Sequence, residues 1–464
     1  MLKKIYAIFS ICLLFGCAAM HQNFNSYGAP SYNYVSNAPT DTMSGLSQTD
    51  YSHVDLGNHE SFRVAMLLPL SGKAQEAGES MKNAAMLAIG DLNNNNLVVQ
   101  FYDTKSTSSG ARVAVENAVS SGCDLILGPL MSEEVAAITS VAKNKDIPVI
   151  SFSTSPSVLQ EGIYTLGLLN EEQIDKIVKY AVQQGRKRIA VVLPDNQSGL
   201  NMLKSAMASA SAEGASITKV GFYRPEEMDF SSLVTSMIGS SKVAASQSKD
   251  TEKSSSIGVG FDALLVPESG NRLKSITSMF SYYDVAAPEV LFMGTSVWAN
   301  SNLSKETELY GAVYPLMSDG RMKHFAYKYN EMFSQKPNPL GIFAYDAIAL
   351  SSALSQKDKS NLTEEITNID GFFGMSGAFR IFANGKNEHG LDVVKVTMNG
   401  PMIAVSAPQR FYSVNPSYSN NRSYGGYEQQ PQIYGKSSAD VWNLINAPTQ
   451  TDYFEPLNKF GTFF

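Results

Sequence analysis

The stretch Asp124-Leu-Ile-Leu-Gly-Pro-Leu-Met-Ser132 constrains the fold more than any other part of the 464-residue chain. Leu125, Ile126 and Leu127 form an apolar run with no alternation. A strand that is apolar on both faces belongs inside a parallel sheet with helices on either side. Gly128-Pro129 stops the run, and Ser132 is placed to cap a following helix. A strand that ends against a helix N-terminus is where open α/β sheets bind ligands, at their carboxyl edge. Arg63–Leu68, Leu97–Tyr102 and Pro148–Phe152 read as further strands of this buried kind. Between the first two, Met81, Ala84, Ala85, Ala88, Ile89 and Leu92 recur at helical spacing; Ala111, Val115, Ala118 and Val119 do so next. Strand and helix alternate strictly, which predicts a parallel sheet with right-handed crossovers.

The rhythm resumes after a joint at Leu166–Asn170. Asn170 with Gln173 three residues on has the form of a capping box, and Ile174, Ile177, Val178, Ala181 and Val182 make one helical face. Ile189–Leu193, Ile217–Tyr223, Ala263–Val266 and Val290–Met293 read as strands, with helices over Leu200–Glu213 and Gly270–Tyr283. Residues 239–258 are rich in Ser and Lys without periodicity and read as a mobile surface insertion. From Gly294 the chain is expected to cross back to the first set, with helices over Arg321–Phe333 and Gly341–Ser355. Ala378–Phe382 and Val393–Thr397 read as antiparallel strands around the Asn384-Gly385 turn. The expected α/β body therefore has two lobes: 62–167 with 295–357, and 168–294 with a closing hairpin in 358–408. Residues 409–464 read as a low-order tail. Its aromatic residues, among them Trp442, Phe454, Phe460, Phe463 and Phe464, offer the alternative of docking on a partner.

The first sixteen residues have the form of an export signal: Lys3 and Lys4, then the apolar stretch Ile5–Phe15, too short to span a membrane comfortably. Residues 17–61, rich in Asn, Ser, Tyr and Gly, read as a flexible tether. The net charge of −7 and the lack of a basic stripe argue against a nucleic-acid partner. Cys12 leaves with the signal and Cys123 stands at the start of an apolar strand, a small buried hydrophobe in kind. Among catalytic signatures, the chain has no His-Glu-x-x-His, no Cys-x-x-Cys and no phosphate loop, and Ser71-Gly72 lacks the flanking glycine of a nucleophile elbow. Asn387-Glu388-His389 reads as a solvated turn rather than a metal site. No enzymatic activity, cofactor or metal is expected.

Two resemblances extend this reading. Leu14-Phe15-Gly16-Cys17 resembles a bacterial lipobox, which implies cleavage before Cys17 and acylation there. More than one acyl chain gives stable anchoring. Ala18, a residue other than aspartate, implies sorting to the periplasmic face of the outer membrane. With Cys17 lipidated, Cys123 has no partner for an internal disulfide in the mature monomer.

From Phe62 to Val405 the chain resembles the two-lobed type I periplasmic binding fold. Val64-Ala-Met-Leu-Leu-Pro-Leu-Ser-Gly72, Phe101-Tyr-Asp-Thr104, Leu127-Gly-Pro-Leu130, Pro148-Val-Ile-Ser151 and Gly377–Gly385 carry the likeness. Two subfamilies are similar. One is the carboxyl-terminal module of lipoproteins that activate penicillin-binding proteins, which shares Leu-Pro-Leu-Ser-Gly and Gly-Pro-Leu; it implies regulation of peptidoglycan synthesis through a penicillin-binding protein partner. The other is the branched-chain amino-acid receptors of ABC importers, which implies a small ligand in the cleft between the lobes. By position the receptor likeness places ligand contacts at Ser71, Ser132, Ser153 and Ser155 in the first lobe. In the second lobe Glu268 lies one residue from the expected aromatic at Ser269, and Ser296 stands where the family has an acidic residue. Glu133 and Glu134 already occupy the first turn after Ser132, which favours a capping role for Ser132 over an anion contact.

Overall fold

Val64, Met66 and Leu68 face one side of their strand and Ala65 and Leu67 the other, and both sets are buried. The computed structural model describes residues 61–248, 257–411 and 430–446. The first sheet contains β1 (Phe62–Leu68), β2 (Leu97–Asp103), β3 (Leu125–Leu127), β4 (Val149–Ser151) and β5 (Ile163–Thr165). Their order is β2-β1-β3-β4-β5, and every pairing is parallel. Helix α1 (Gln75–Leu92) and the helix Gly341–Leu354 cover one face; α2 (Ser108–Ser120) and α3 (Ser132–Lys143) cover the other. Leu125, Ile126 and Leu127 are all fully buried, and each such side chain contributes about 1.5–3 kcal/mol. Gly128 ends β3 at φ +89°, where a Cβ would lie 2.2 Å from the Leu67 carbonyl, so the turn admits only glycine.

The second sheet is larger. Helix α4 (Asn170–Gln183) leads to β6 (Arg188–Pro194), α5 (Gln197–Ala212) and β7 (Ser216–Tyr223). Helices α6 (Ser231–Ile238) and α7 (Ser240–Gln247) precede β8 (Ala263–Leu265), and the helix Gly270–Tyr282 precedes β9 (Leu291–Met293) and β10 (Val313–Leu316). The sheet is completed by β14 (Asp392–Thr397), β15 (Gly400–Val405) and β16 (Gln432–Tyr434), in the order β15-β14-β10-β9-β8-β6-β7-β16. β14 pairs antiparallel with both β10 and β15, and every other pairing in this sheet, β10 with β9 included, is parallel. A small antiparallel sheet of β11 (Phe372–Phe373), β12 (Ala378–Ile381) and β13 (Asn387–His389) adds Phe379 and Ile381 to the first lobe's core.

Several expectations change. The chain does not leave the second lobe at Gly294: Trp298, Leu303 and Leu309 are buried in that lobe's core and β10 pairs with β9. The return comes after β10, where Phe325 and Tyr329 of the helix Asp319–Phe333 enter the first core. The segment 358–408 is shared, since β11–β13 serve the first lobe and β14–β15 the second. The Asn384-Gly385 turn joins β12 to β13 rather than to Val393–Thr397, and Asn387 and His389 are buried strand residues, not a solvated turn. Part of the Ser- and Lys-rich insertion is the helix α7, with Lys242 and Ala245 buried; residues 249–256 lie outside the described residues. In the tail, β16 and the helix Ser438–Asn446 are built into the second lobe, with Val441 fully buried. The Trp442 side chain, Phe454, Phe460, Phe463 and Phe464 lie outside the described residues, as do Cys17, the signal and the tether to residue 60.

Candidate functional site

The carboxyl ends of β1, β3 and β4 carry Ser71, Ser132 and Ser153, and those of β8 and β9 carry Glu268 and Ser296. These are the edges at which open α/β sheets take ligands. On the first sheet Asp103, the last residue of β2, organises the edge. Its carboxylate accepts from the Ser71 hydroxyl at 2.7 Å and from the backbone N–H groups of Leu70, Ser71 and Lys105 at 2.9, 3.1 and 2.8 Å. Burial pushes the Asp103 carboxyl up, but these four hydrogen bonds outweigh it and hold the group below the usual carboxylate range. Ser106 donates to the Ser71 carbonyl at 2.8 Å and fixes the other side of the same turn.

Ser132 is not the cap of α3. Its hydroxyl turns to Glu133 Oε2 at 3.3 Å, and Glu134 reaches back to accept from the Met131 N–H at 3.3 Å. Glu134 is fully buried and also accepts from the Thr104 hydroxyl at 2.8 Å; burial pushes its carboxyl up. The exposed Glu133 pairs with Lys73 at 3.6 Å. The positive end of α3 thus has carboxylates of its own, and Ser132 lies beside them. Ser153 is buried and accepts from the Ser155 N–H at 3.2 Å, while the Ser155 and Ser157 hydroxyls lie 2.8 Å apart. Thr165 of β5 donates to the Ser153 carbonyl at 2.7 Å, so β5 supports this loop from below.

On the second sheet Glu268 is fully committed. It accepts from the Tyr223 hydroxyl at the end of β7 and pairs with Arg272 one helical turn on, at 3.6 Å. The Arg272 guanidinium lies 5.6 Å from the Tyr223 ring centroid. Burial and then the Glu268 carboxylate push the Tyr223 phenol up. Ser296 gives its N–H to Gln173 Oε1 at 2.8 Å, and Gln173 donates to the Leu169 carbonyl at 3.3 Å. Gln173 therefore braces the β9 edge, and the capping role read for it belongs to Glu172, which accepts from the Leu169 N–H at 2.9 Å. Of the six candidate residues Ser153 and Ser155 are bonded to each other; among the described residues no hydrogen bond joins the first lobe's four to Glu268 or Ser296.

The residues that sequence reasoning missed are Asp103, Tyr223, Arg272 and Gln173 as a brace. Only one carried a local signal: Arg272 stands four residues after Glu268, the spacing of a helical ion pair. Cys123 is buried, and burial pushes its thiol up to about 11, which leaves it unreactive at neutral pH. Among the described residues no group of three or more His, Cys, Asp or Glu could hold a metal ion.

The comparisons agree with the topology. The chain is 24% identical over 189 residues to the Leu/Ile/Val-binding protein BraC3 of Rhizobium johnstonii, across 38% of this chain and 51% of that protein. It is 28% identical over 153 residues to the penicillin-binding protein activator LpoA of Glaesserella parasuis, across 32% of this chain and 26% of that protein. The chain thus spans about half the length of the first relative and a quarter of the second. Among solved structures, a branched-chain amino acid ABC transporter periplasmic ligand-binding protein from Burkholderia xenovorans superposes with a TM-score of 0.59 at 16% identity, over 75% of this chain and 96% of that one. Residues 61–401 match the periplasmic binding protein family, a span that takes in the first sheet and the second from β6 into β15, and the chain belongs to that family.

Proposed function

We propose that the protein is a solute receptor of an ABC importer that takes a small polar solute between the carboxyl edges of its two sheets. The observation that carries this reading is the state of the edge groups. Hydroxyls and backbone amides around Ser71, Ser153 and Ser155 are held in place by in-chain bonds, as a preformed site requires. The one carboxylate near the position where the receptors hold an ammonium, Glu268, is committed to Tyr223 and Arg272. That favours a solute gripped by hydrogen bonds over one gripped through a free amine. The relatives named for Leu, Ile and Val binding support the receptor role. A ligand that binds the folded form raises its melting temperature, by about 2.7 kcal/mol of stability at one hundred times Kd. A thermal-shift panel of amino acids, amides, sugars and organic acids is expected to give at least one concentration-dependent rise; silence across the panel removes this reading.

A second reading rests on the lipobox-like Leu14–Cys17 and on the LpoA relative: regulation of peptidoglycan synthesis by contact with a penicillin-binding protein. Pull-down from solubilised envelope is expected to recover a cell-wall synthase if this is so, and recovery of none counts against it. Under either reading, the lipobox-like Leu14–Cys17 and Ala18 support an anchor at the outer membrane through a lipid on Cys17. Labelling of cells with an alkyne-bearing fatty acid is expected to tag the native chain and not Cys17→Ser; a native chain that takes up no label, or a variant that takes up as much, contradicts the anchor.

A further inference from the structure

The family match ends at residue 401, yet the described residues 430–446 are built onto the second lobe beside β7. β16 adds to β7 in parallel, with Ile433 beside Val220. Val441 is fully buried and Ile445 nearly so, in the core that also holds Leu200 and Leu203 of α5. Between these anchors, Gly435 passes so close to β7 that a Cβ would lie 1.9 Å from the Phe222 carbonyl. The next residue, Lys436, is therefore pinned. Its Nζ lies over the Phe222 ring, 5.9 Å from the centroid, and the same ammonium pairs with Asp195. Asp195 is the residue immediately after β6, and its N–H donates to the Tyr223 carbonyl at 2.7 Å. It thus sits at the joined carboxyl ends of β6 and β7, one strand from Glu268.

Two carboxylates on neighbouring strands of this edge, Asp195 immediately after β6 and Glu268 three residues after β8, share one feature. Glu268 has Arg272, and Asp195 has Lys436. Resting on the solute-receptor reading, we infer that Lys436 is a specificity-determining residue: a tethered ammonium that occupies Asp195 and makes this rim reject cationic solutes. A carboxylate at a strand's carboxyl end is where an amine-bearing solute finds its counter-charge. Here the chain itself supplies that amine, held by the β16 anchor and by burial of Val441 and Ile445, so Asp195 offers no open counter-charge to a cationic solute.

The test uses the full chain and n-butylammonium, which copies the length and charge of the lysine side chain. Lys436→Ala is expected to gain a rise in melting temperature with butylammonium that the native chain lacks. Butanol is expected to give none. Adding Asp195→Asn to Lys436→Ala is expected to weaken butylammonium binding about fivefold, the upper end for an incompletely buried ion pair. If Lys436→Ala does not fold, Lys436→Ser takes its place. An equal response from single and double variants, or none from either folded protein, overturns the inference. A cationic solute bound by the native chain also overturns it and leaves the receptor reading standing. A native chain that binds no solute removes the receptor reading, while butylammonium rescue of Lys436→Ala still upholds the tethered pair.

Discussion

Asp103 shows how one side chain can hold an edge without touching a ligand. It accepts four hydrogen bonds from Leu70, Ser71 and Lys105, and they set the conformation of the turn that presents Ser71. Because these bonds favour the charged form, its folded pKa lies below the unfolded value of about 3.9. The sign follows: the carboxylate stabilises the fold above the unfolded pKa, and that contribution is lost as pH falls through the folded one. Asp103→Asn is expected to cost about 1–3 kcal/mol at neutral pH, since an amide presents one oxygen to these donors. It is also expected to flatten the acid limb of the stability curve below about pH 4. Urea midpoints measured from pH 3 to pH 7 check both; a variant whose acid limb matches the native chain's contradicts the assignment.

Elements differ in how openly the sequence announces them. The strands β1 and β3 were legible because they are buried on both faces, and a double-faced burial leaves an unbroken apolar run such as Leu125–Leu127. Helix α1 was legible because Met81, Ala84, Ala85 and Ala88 repeat at its turn spacing. β16 was not, since Gln432, Ile433 and Tyr434 stand in a polar, aromatic-rich context and become a strand only by pairing with β7, far upstream. β10 was hidden for a related reason: Pro315 interrupts it, and its partners β9 and β14 flank it from distant sequence. Caps were misread for a geometric reason. Ser132 and Asn170 are the residue types that cap, but Glu134 and Glu172, two residues later in each case, reach back to the N–H before the helix. The dependence of the second lobe on its last helix is testable. Val441→Asp places a carboxylate in an apolar core and is expected to lower the unfolding free energy by about 3 kcal/mol or more. A urea midpoint within error of the native chain's would show that Ser438–Asn446 is an ornament rather than part of the lobe.

At the scale of the whole molecule the two lobes are joined where the chain crosses between sheets: after β5, after β10 and between β13 and β14. Glu172 links the first and last of these. One oxygen accepts from the Leu169 N–H at 2.9 Å and the other from the His389 N–H at 2.8 Å, and the His389 ring nitrogen Nδ1 lies 3.1 Å away. The neighbours repeat the pattern: Asn387 donates to the Gly167 carbonyl at 2.9 Å, the Thr165 N–H to the Gly385 carbonyl at 3.1 Å, and Lys386 pairs with Glu171 at 2.7 Å. A clamshell can close only by bending at its crossings, so a carboxylate buried between two of them limits which bends are open. Removing it leaves two backbone N–H groups and an imidazole buried without their acceptor, at about 1–3 kcal/mol for each group. Glu172→Ala is therefore expected to cost about 3–5 kcal/mol and to speed hydrogen exchange at Leu169 and His389 together, because one group serves both strands of the hinge. Glu172→Gln, which keeps one oxygen acceptor, is expected to fall between. Faster exchange at only one of the two sites would mean that the crossings move independently, and that the lobes are coupled through the β12–β13 hairpin and not through this carboxylate.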